Sequence, residues 1–481
     1  MGIVYLEHDK NAVYPGWESA YSPSEDYPEY QFEGSVLNHE KNHVYEMVRN
    51  CLVHMGLDAE NYGKSTWNPL SKYIKPGQTV LLKPNWVMHY NMNKKARSLE
   101  MECLVTHPSV VRAICDYCLI ALKGVGKIII ADAPMQDCDL EKLFQKTHYY
   151  ELFDFYKREN QPVEYEDLRY CQSIFRNGVI IEKKYKDGIG VDIDLGELSI
   201  HEKRIGGRSY QVDNYDTRET GKFHCTNKHI YSINKDVLCA DFIINICKPK
   251  SHRLAGYTAA MKNMVGICYS KASLPHRVAG SSDMGGDAYE HRSKTKRVID
   301  YILEKKIQHE NKGEILVATI DRFIYGGLLL FIRRFGRDPY IKGIWYGNDT
   351  NWRTVVDLNY IVRYADKDGL LQSTRQRNEL CFGDMIVAGE HNGPCAPDPK
   401  KMGIILAAED ARDFDMAFSI IAGFANLNVP LDKAIKNSET DYLLGKLKPI
   451  ELIMNGEKIE QICDFILLDE WKYKVHDAWA R

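Results

Sequence analysis

Between Thr79 and Pro134 the chain alternates a short apolar run, a long amphipathic run and a second short apolar run: TVLLKPN, SVVRAICDYCLIALKGVG and KIIIADAP. The outer runs have strand length and end against prolines; the middle one carries its apolar residues at helical spacing and closes on glycine. Strand, helix, strand in that order favours a parallel, doubly wound sheet. The same rhythm returns at DFIINIC (241–247) and continues to about Ile421. The chain therefore reads as α/β: a mostly parallel doubly wound sheet with an inserted β-rich subdomain and a C-terminal α/β portion.

The organisation follows from where that rhythm holds. Residues 1–40, rich in Tyr, Pro, Glu and Ser, read as an arm lying on the body, and 41–149 as the first part of the core, opened by an amphipathic helix ending near Gly56. Residues 150–235 are polar with short strand-like runs (GVIIEKK, YQVDNYD), hence an inserted subdomain or flap. Residues 236–325 resume the core: a strand, a helix through Lys262, another over KTKRVIDYILEKK and a strand at EILVATID (314–321). In 326–481 we expect a helix over WRTVVDLNYIVRYAD, strands at DMIVAG and MGIILAAED, and a helix from about Phe414 to Ile421. GGLLLFIRRFGR (326–337) reads as a helix docked on the body with Arg333, Arg334 and Arg337 in solvent; a membrane-surface or lid segment is the alternative.

Composition narrows the function classes. A net charge of −3 over 481 residues argues against a surface built for nucleic acid, while leaving room for a local basic pocket. No run reads as a membrane span, and MGIVYLEHDK lacks the features of a signal peptide, so the expectation is a cytoplasmic protein. Thirteen scattered cysteines suit a reducing compartment rather than a disulfide framework. Cys115 and Cys118, the one close pair, fall in a helical apolar pattern and read as packed thiols; no second CxxC and no ferredoxin-type run accompanies them. Oligomeric state is left open.

The strand ends carry the functional reading, because in open α/β sheets ligands bind outside the carboxyl ends of the strands. Charged residues stand at five expected exits: Lys83-Pro84-Asn85, Asp132-Ala133-Pro134, Lys248-Pro249-Lys250, Asp321-Arg322 and Glu409-Asp410. Proline holds the preceding lysine extended, and residues two apart in an extended chain share a side. Lys83 and Asn85 should thus face one pocket, and Lys248 and Lys250 likewise. Paired ammonium groups call for an anion, or lower one another's pKa and create a base or an amine nucleophile. Further along CKPKSHRLAGYTAAMKN (247–263), Thr258 and Lys262 are expected on one face of a short helix whose start favours an anion, with Asn263 adding an amide.

We therefore assign His252, Lys262 and Lys250 as candidate catalytic groups. The candidate substrate-binding groups are Lys83, Asn85, Asp132, Lys248, Thr258, Asn263, His276, Asp287, His391 and Asn392. His276 stands in SLPHRVAG, Asp287 in a Gly285-Gly286 turn, and His391 and Asn392 in a Gly/Pro-rich loop, AGEHNGPCAPDP. A metal held by His252, His276 or His291 with Asp287 is left open, because no HxxxH or HxxE spacing supports it.

VLLKPNW, THPSVVRAI, IIIADAP, ADFIINICKPKSHRLAGYTAAMKNMVGI, LPHRVAG with GGDAY, WYGNDTNWRTVVDLN, and GEHNGP with ILAAEDARDFDMA occur in order over roughly 75 to 425. In these pieces the chain resembles the domain-of-unknown-function family 362. Some members of that family carry ferredoxin-type cysteines or twin-arginine signals, and this chain has neither. The HRLAGYTAAMKNMVGI…PH stretch is also similar in layout to lactate racemase-like proteins. That likeness implies a lysine-tethered nickel nucleotide on Lys262 or Lys250, with His252 and His276 as acid and base. The cofactor is otherwise unknown. The expected function is an enzyme of isomerase, epimerase or group-transfer type acting on a small phosphorylated or carboxylated metabolite; a binding protein that uses the same pocket without chemistry is the alternative.

Overall fold

The computed structural model describes residues 1–32, 37–336, 338–459 and 470–479. Its centre is one mixed, mostly parallel sheet of 11 strands. In chain order these are β1 (Gly2–His8), β2 (Thr79–Lys83), β3 (Lys127–Asp132), β4 (Val163–Asp167), β5 (Phe242–Cys247), β6 (Lys250–His252), β7 (Gly256–Thr258), β8 (Asn378–Asn392), β9 (Ala396–Ala408), β10 (Ile450–Met454) and β11 (Glu457–Ile459). Across the sheet the order is β11-β10-β1-β9-β8-β5-β2-β3-β4, with β6 pairing β7 and β8. The run β8-β5-β2-β3-β4 is parallel throughout. From β2 the chain steps outward through β3 to β4, then returns on the other side with β5 and β8. The direction of winding therefore reverses between β2 and β5, which is where this class of sheet opens a crevice for ligands.

Period-two alternation divides the central strands between two apolar layers. Val80, Leu82, Ile128, Ile130, Ile244 and Ile246 face the layer formed by helices α1 (His43–His54), α2 (Pro108–Leu122), α3 (Leu140–Thr147) and α4 (Tyr149–Arg158). Leu81, Ile129 and Ile243 face the opposite layer. That layer takes in the single-turn helix α5 (Ala260–Asn263), and α8 (Asn351–Tyr364) and α9 (Ala411–Ile421) cover the same side. Local signals set the helix ends: Pro108 opens α2 behind the cap His107, Lys123 closes it in left-handed geometry, and Asp410 caps α9. Cys115 and Cys118 are buried in α2.

Several expectations are corrected. The first residues are not all arm, since β1 lies inside the sheet between β10 and β9. EILVATID is not a strand: it begins the helix α7 (Ile315–Phe335), which packs against α6 (Lys294–Asn311) through Ala318, Asp321 and Ile332. A short apolar run does not by itself distinguish strand from helix, and here the apolar pattern runs on for 21 residues. Asp321 is therefore not a strand exit. Glu409 and Asp410 lie at the opposite edge, because β9 runs antiparallel to β8. The Gly/Pro-rich loop is the tip of the β8–β9 hairpin, whose pairing extends to Asn392 and Ala396. The expected helix leading to Lys262 is instead the β6–β7 hairpin followed by the one turn of α5. Within 150–235, β4 is an edge strand of the main sheet, and the small sheets begin only at Cys171–Arg176. Arg337 lies outside the described residues.

Candidate functional site

β2 and β5 put Lys83 and Asn245 side by side in register at the winding reversal. The Asn263 amide spans both strands: its Nδ2 donates to the Lys83 carbonyl at 3.1 Å and to Asn245 Oδ1 at 2.8 Å. Its Oδ1 accepts from Lys83 Nζ at 3.3 Å and Asn85 Nδ2 at 3.0 Å. Both donors and both lone pairs are thereby used, which makes Asn263 a fastener of the crevice rather than a ligand hook. Lys83 and Asn85 converge on this one amide, but of the two only Asn85 borders the adjoining cavity, so the expectation that both face one pocket holds for Asn85 and not for Lys83.

Lys83 is fully engaged as well. Its ammonium meets Asp132 Oδ1 at 2.6 Å, the Pro84 carbonyl at 2.8 Å and Asn263, with both charged groups buried. Burial pushes the Lys83 pKa down while Asp132 opposes the shift. The other Asp132 oxygen accepts from Trp86 N at 2.7 Å. Gly266 is what lets the chain pass here, because a Cβ at that position would overlap Asp132 and Lys83.

Outside this floor lies a cavity of about 200 Å³. Asn85, Asp132, Lys250, His252, Thr258, Lys262, Asn263 and His276 all border it. Lys250 donates to Asn85 Oδ1 at 2.8 Å and to the Leu104 carbonyl; burial brings its pKa down to about 7. Thr258 stands opposite Lys250 in the β6–β7 pairing. Lys262 differs from its neighbours. It is 5% exposed, and among the described residues its ammonium has neither a hydrogen bond nor an ion pair. Burial, reinforced by the nearby Lys271 ammonium, lowers its pKa to about 8.

The two histidines are held in opposite tautomers. Leu254 N donates to His252 Nδ1 at 3.1 Å, so in the neutral ring the proton sits on Nε2. His276 Nδ1 lies 2.7 Å from the Leu274 carbonyl, which can only accept, so the proton sits on Nδ1 and Nε2 keeps its lone pair. Burial drives the His252 pKa well below its usual value and brings His276 to about 4, with the Lys262 charge acting in the same direction on both. At neutral pH the cavity thus offers an N–H donor, a ring acceptor and an uncompensated ammonium.

Four expected residues lie elsewhere. Lys248 does not share Lys250's side: its Nζ pairs with buried Asp384 at 3.0 Å and Tyr14 Oη at 2.7 Å. β5 ends at Cys247 and β6 begins at Lys250, so 248–250 is no single regular strand and the two-residue parity fails. Asp287 is locked in a buried network with Arg204 (3.1 Å), Thr350 Oγ1 (2.6 Å) and Asp349 N (3.0 Å). His391 is held by Asp398 (2.9 Å) and Asp477 (2.8 Å), and Asn392 leans on His391; the same hairpin tip instead gives Pro394 and Cys395 to the cavity. Among the described residues, no three His, Cys, Asp or Glu side chains form a group that could hold a metal.

The residue pattern did not point to three further groups. Lys271 borders the cavity and donates to the Ala133 and Val265 carbonyls at 2.6 and 3.2 Å; burial brings its pKa to about 8. Arg253 follows His252 and reaches Asp213 at 3.8 Å. Burial raises the Asp213 carboxyl, but Lys342, Arg277 and Arg253 outweigh that effect and hold it far below the carboxylate range. Asp213 comes from the inserted segment, whose Val212–Tyr215 stretch forms one wall, so a link to the core turn was not visible in linear order. Lys271 lies eight residues beyond the CKPKSHRLAGYTAAMKN stretch, and that proximity was the available signal.

Residues 80–180 and 202–419, 319 of 481, match the model of the family described as Domain of unknown function (DUF362), and the chain belongs to that family. Every residue bordering the cavity falls inside the matched spans. No curated protein and no solved structure matches the chain.

Proposed function

We propose that this family member is an enzyme that moves a proton on a small anionic metabolite, in the manner of an isomerase or epimerase. One observation carries the reading: the unpartnered Lys262 ammonium shares a buried cavity with two neutral histidines fixed in opposite tautomers. A buried cation without a counter-charge is costly, and a carboxylate or phosphate entering the cavity supplies that charge. His276 Nε2, with its lone pair open, takes a proton from the bound molecule. His252 Nε2–H donates a hydrogen bond or a proton to the atom where charge develops. Lys250 and Thr258 border the same space as orienting groups.

The test is exchange in deuterated water. Small carboxylates and phosphate esters are incubated with the protein, and carbon-bound protons are followed by NMR. Deuterium uptake at one carbon is expected, lost on His276→Ala, with Lys262→Met weakening binding at least tenfold. Anion binding without exchange at any carbon would reduce the site to a carrier pocket and overturn the catalytic part of the reading.

A further inference from the structure

The helix α7 (Ile315–Phe335) inverts the usual rule for a surface helix. It packs on α6 through Ala318, Asp321 and Ile332, while its outward side is apolar: Leu316, Phe323, Leu330 and Phe335 are 83%, 74%, 67% and 71% exposed. At 100° per residue, these together with Ile320, Ile324 and Phe331 fall on one continuous stripe opposite the packed side. The stripe runs the whole helix, about 31 Å at 1.5 Å per residue. An apolar face of this extent on a water-soluble surface marks a contact surface.

Charge identifies the partner. Residues 294–335 contain nine Lys and Arg against five Asp and Glu, a local excess of four positive charges in a chain whose net charge is −3. Arg334 lies in line with the apolar stripe at its C-terminal end and Arg333 flanks it, both exposed. A second copy of the same cationic hairpin would be repelled, whereas an anionic lipid surface accepts the apolar stripe and the arginines together. By length and composition the helix could cross a bilayer. Its geometry favours lying flat, because Asp321 is held by His309 of α6 at 2.6 Å and the hairpin's inner side is fixed to the body.

We propose that the α6–α7 hairpin docks the protein on anionic membrane surfaces, with α7 lying in the plane of the headgroups. The reading is independent of the cavity's chemistry. It does place the cavity close to the lipid: Lys342, stacked over Tyr325 of α7 at 5.6 Å, reaches the wall residue Asp213 at 3.9 Å.

The test is co-sedimentation of the full chain with vesicles of phosphatidylcholine alone and of phosphatidylcholine with 30% phosphatidylserine. Binding to the anionic vesicles is expected to exceed binding to the neutral ones at least tenfold. Arg333→Gln with Arg334→Gln should lower it about thirtyfold, at about fivefold per basic side chain near such a surface. Phe323→Ser with Phe331→Ser should abolish it, and circular dichroism with an unchanged unfolding midpoint shows that either variant is folded. Equal binding to both vesicle types, or none to either, overturns the proposal. So does a stable dimer in analytical ultracentrifugation that Phe331→Asp dissociates, since a second copy would then own the stripe.

Discussion

Replacing Lys262 by methionine should make the protein more stable, although it disables the site. Methionine keeps much of the side-chain volume and removes the charge. In the folded chain the ammonium is lowered from its ordinary 10.5 to about 8, by burial first and Lys271 second. At about 1.4 kcal/mol per pH unit, that difference is worth roughly 3.5 kcal/mol. Below pH 8 the group is protonated in both states, so the full cost falls on the native protein at pH 7. Between about 8 and 10.5 the unfolded chain binds the proton and the folded chain does not, so stability rises with pH; above 10.5 the cost is gone. From pH 7 to 9.5 the wild type should therefore gain about 2 kcal/mol at this position, and Lys262→Met nothing. For a chain of this size, about 3.5 kcal/mol moves a thermal midpoint by about 3–4 °C. Differential scanning calorimetry at pH 7 and 9.5 reads both effects. A variant less stable than wild type at pH 7, or one with an unchanged pH slope, would mean that Lys262 has a counter-charge after all.

If exchange activity is found, kcat/KM should rise through about pH 4 as His276 loses its proton, then fall above about pH 8 as Lys262 does. Lys262→Met should remove the alkaline limb and leave the acid one. Lys83→Met should cost about 3–5 kcal/mol in urea unfolding, because it strands buried Asp132; pairing it with Asp132→Leu should recover most of that loss. Gly266→Ala should destabilise the same floor, and a normal unfolding midpoint would show that the Lys83–Asp132 contact can move aside.

The exits of β2, β3 and β5 were legible because their determinants are local. Each is a short apolar run ended by proline or by a charge, and the order of strands around one crossover dictates which ends share an edge. The convergence of Lys83 and Asn85 on Asn263 follows from backbone parity alone. What the residue pattern could not convey was the pairing itself, local in one case and distant in the other. β9 turns back because a hairpin forms at 392–396, and that reversal removes Glu409 and Asp410 from the site. Asp213 enters the cavity wall from a segment whose own pattern is that of a separate small sheet.

The same distinction explains why counting lysines overstated the cationic character of the pocket. Lys83, Lys248 and Lys250 stand at strand exits and Lys271 lies further along the chain, yet each is met by a carboxylate, a carbonyl or an amide that only the fold supplies. Lys248 was lost through a single irregular step at Pro249, which sends its ammonium to Asp384. Lys262 alone among them is left without a partner among the described residues. A stable core has every reason to pair or to exclude such a group, and four neighbouring lysines show that this fold pairs them readily. An ammonium kept buried and unpaired at a cost of about 3.5 kcal/mol is therefore the feature on which the proposed anion site rests, and a counter-charge found beside it would remove that ground.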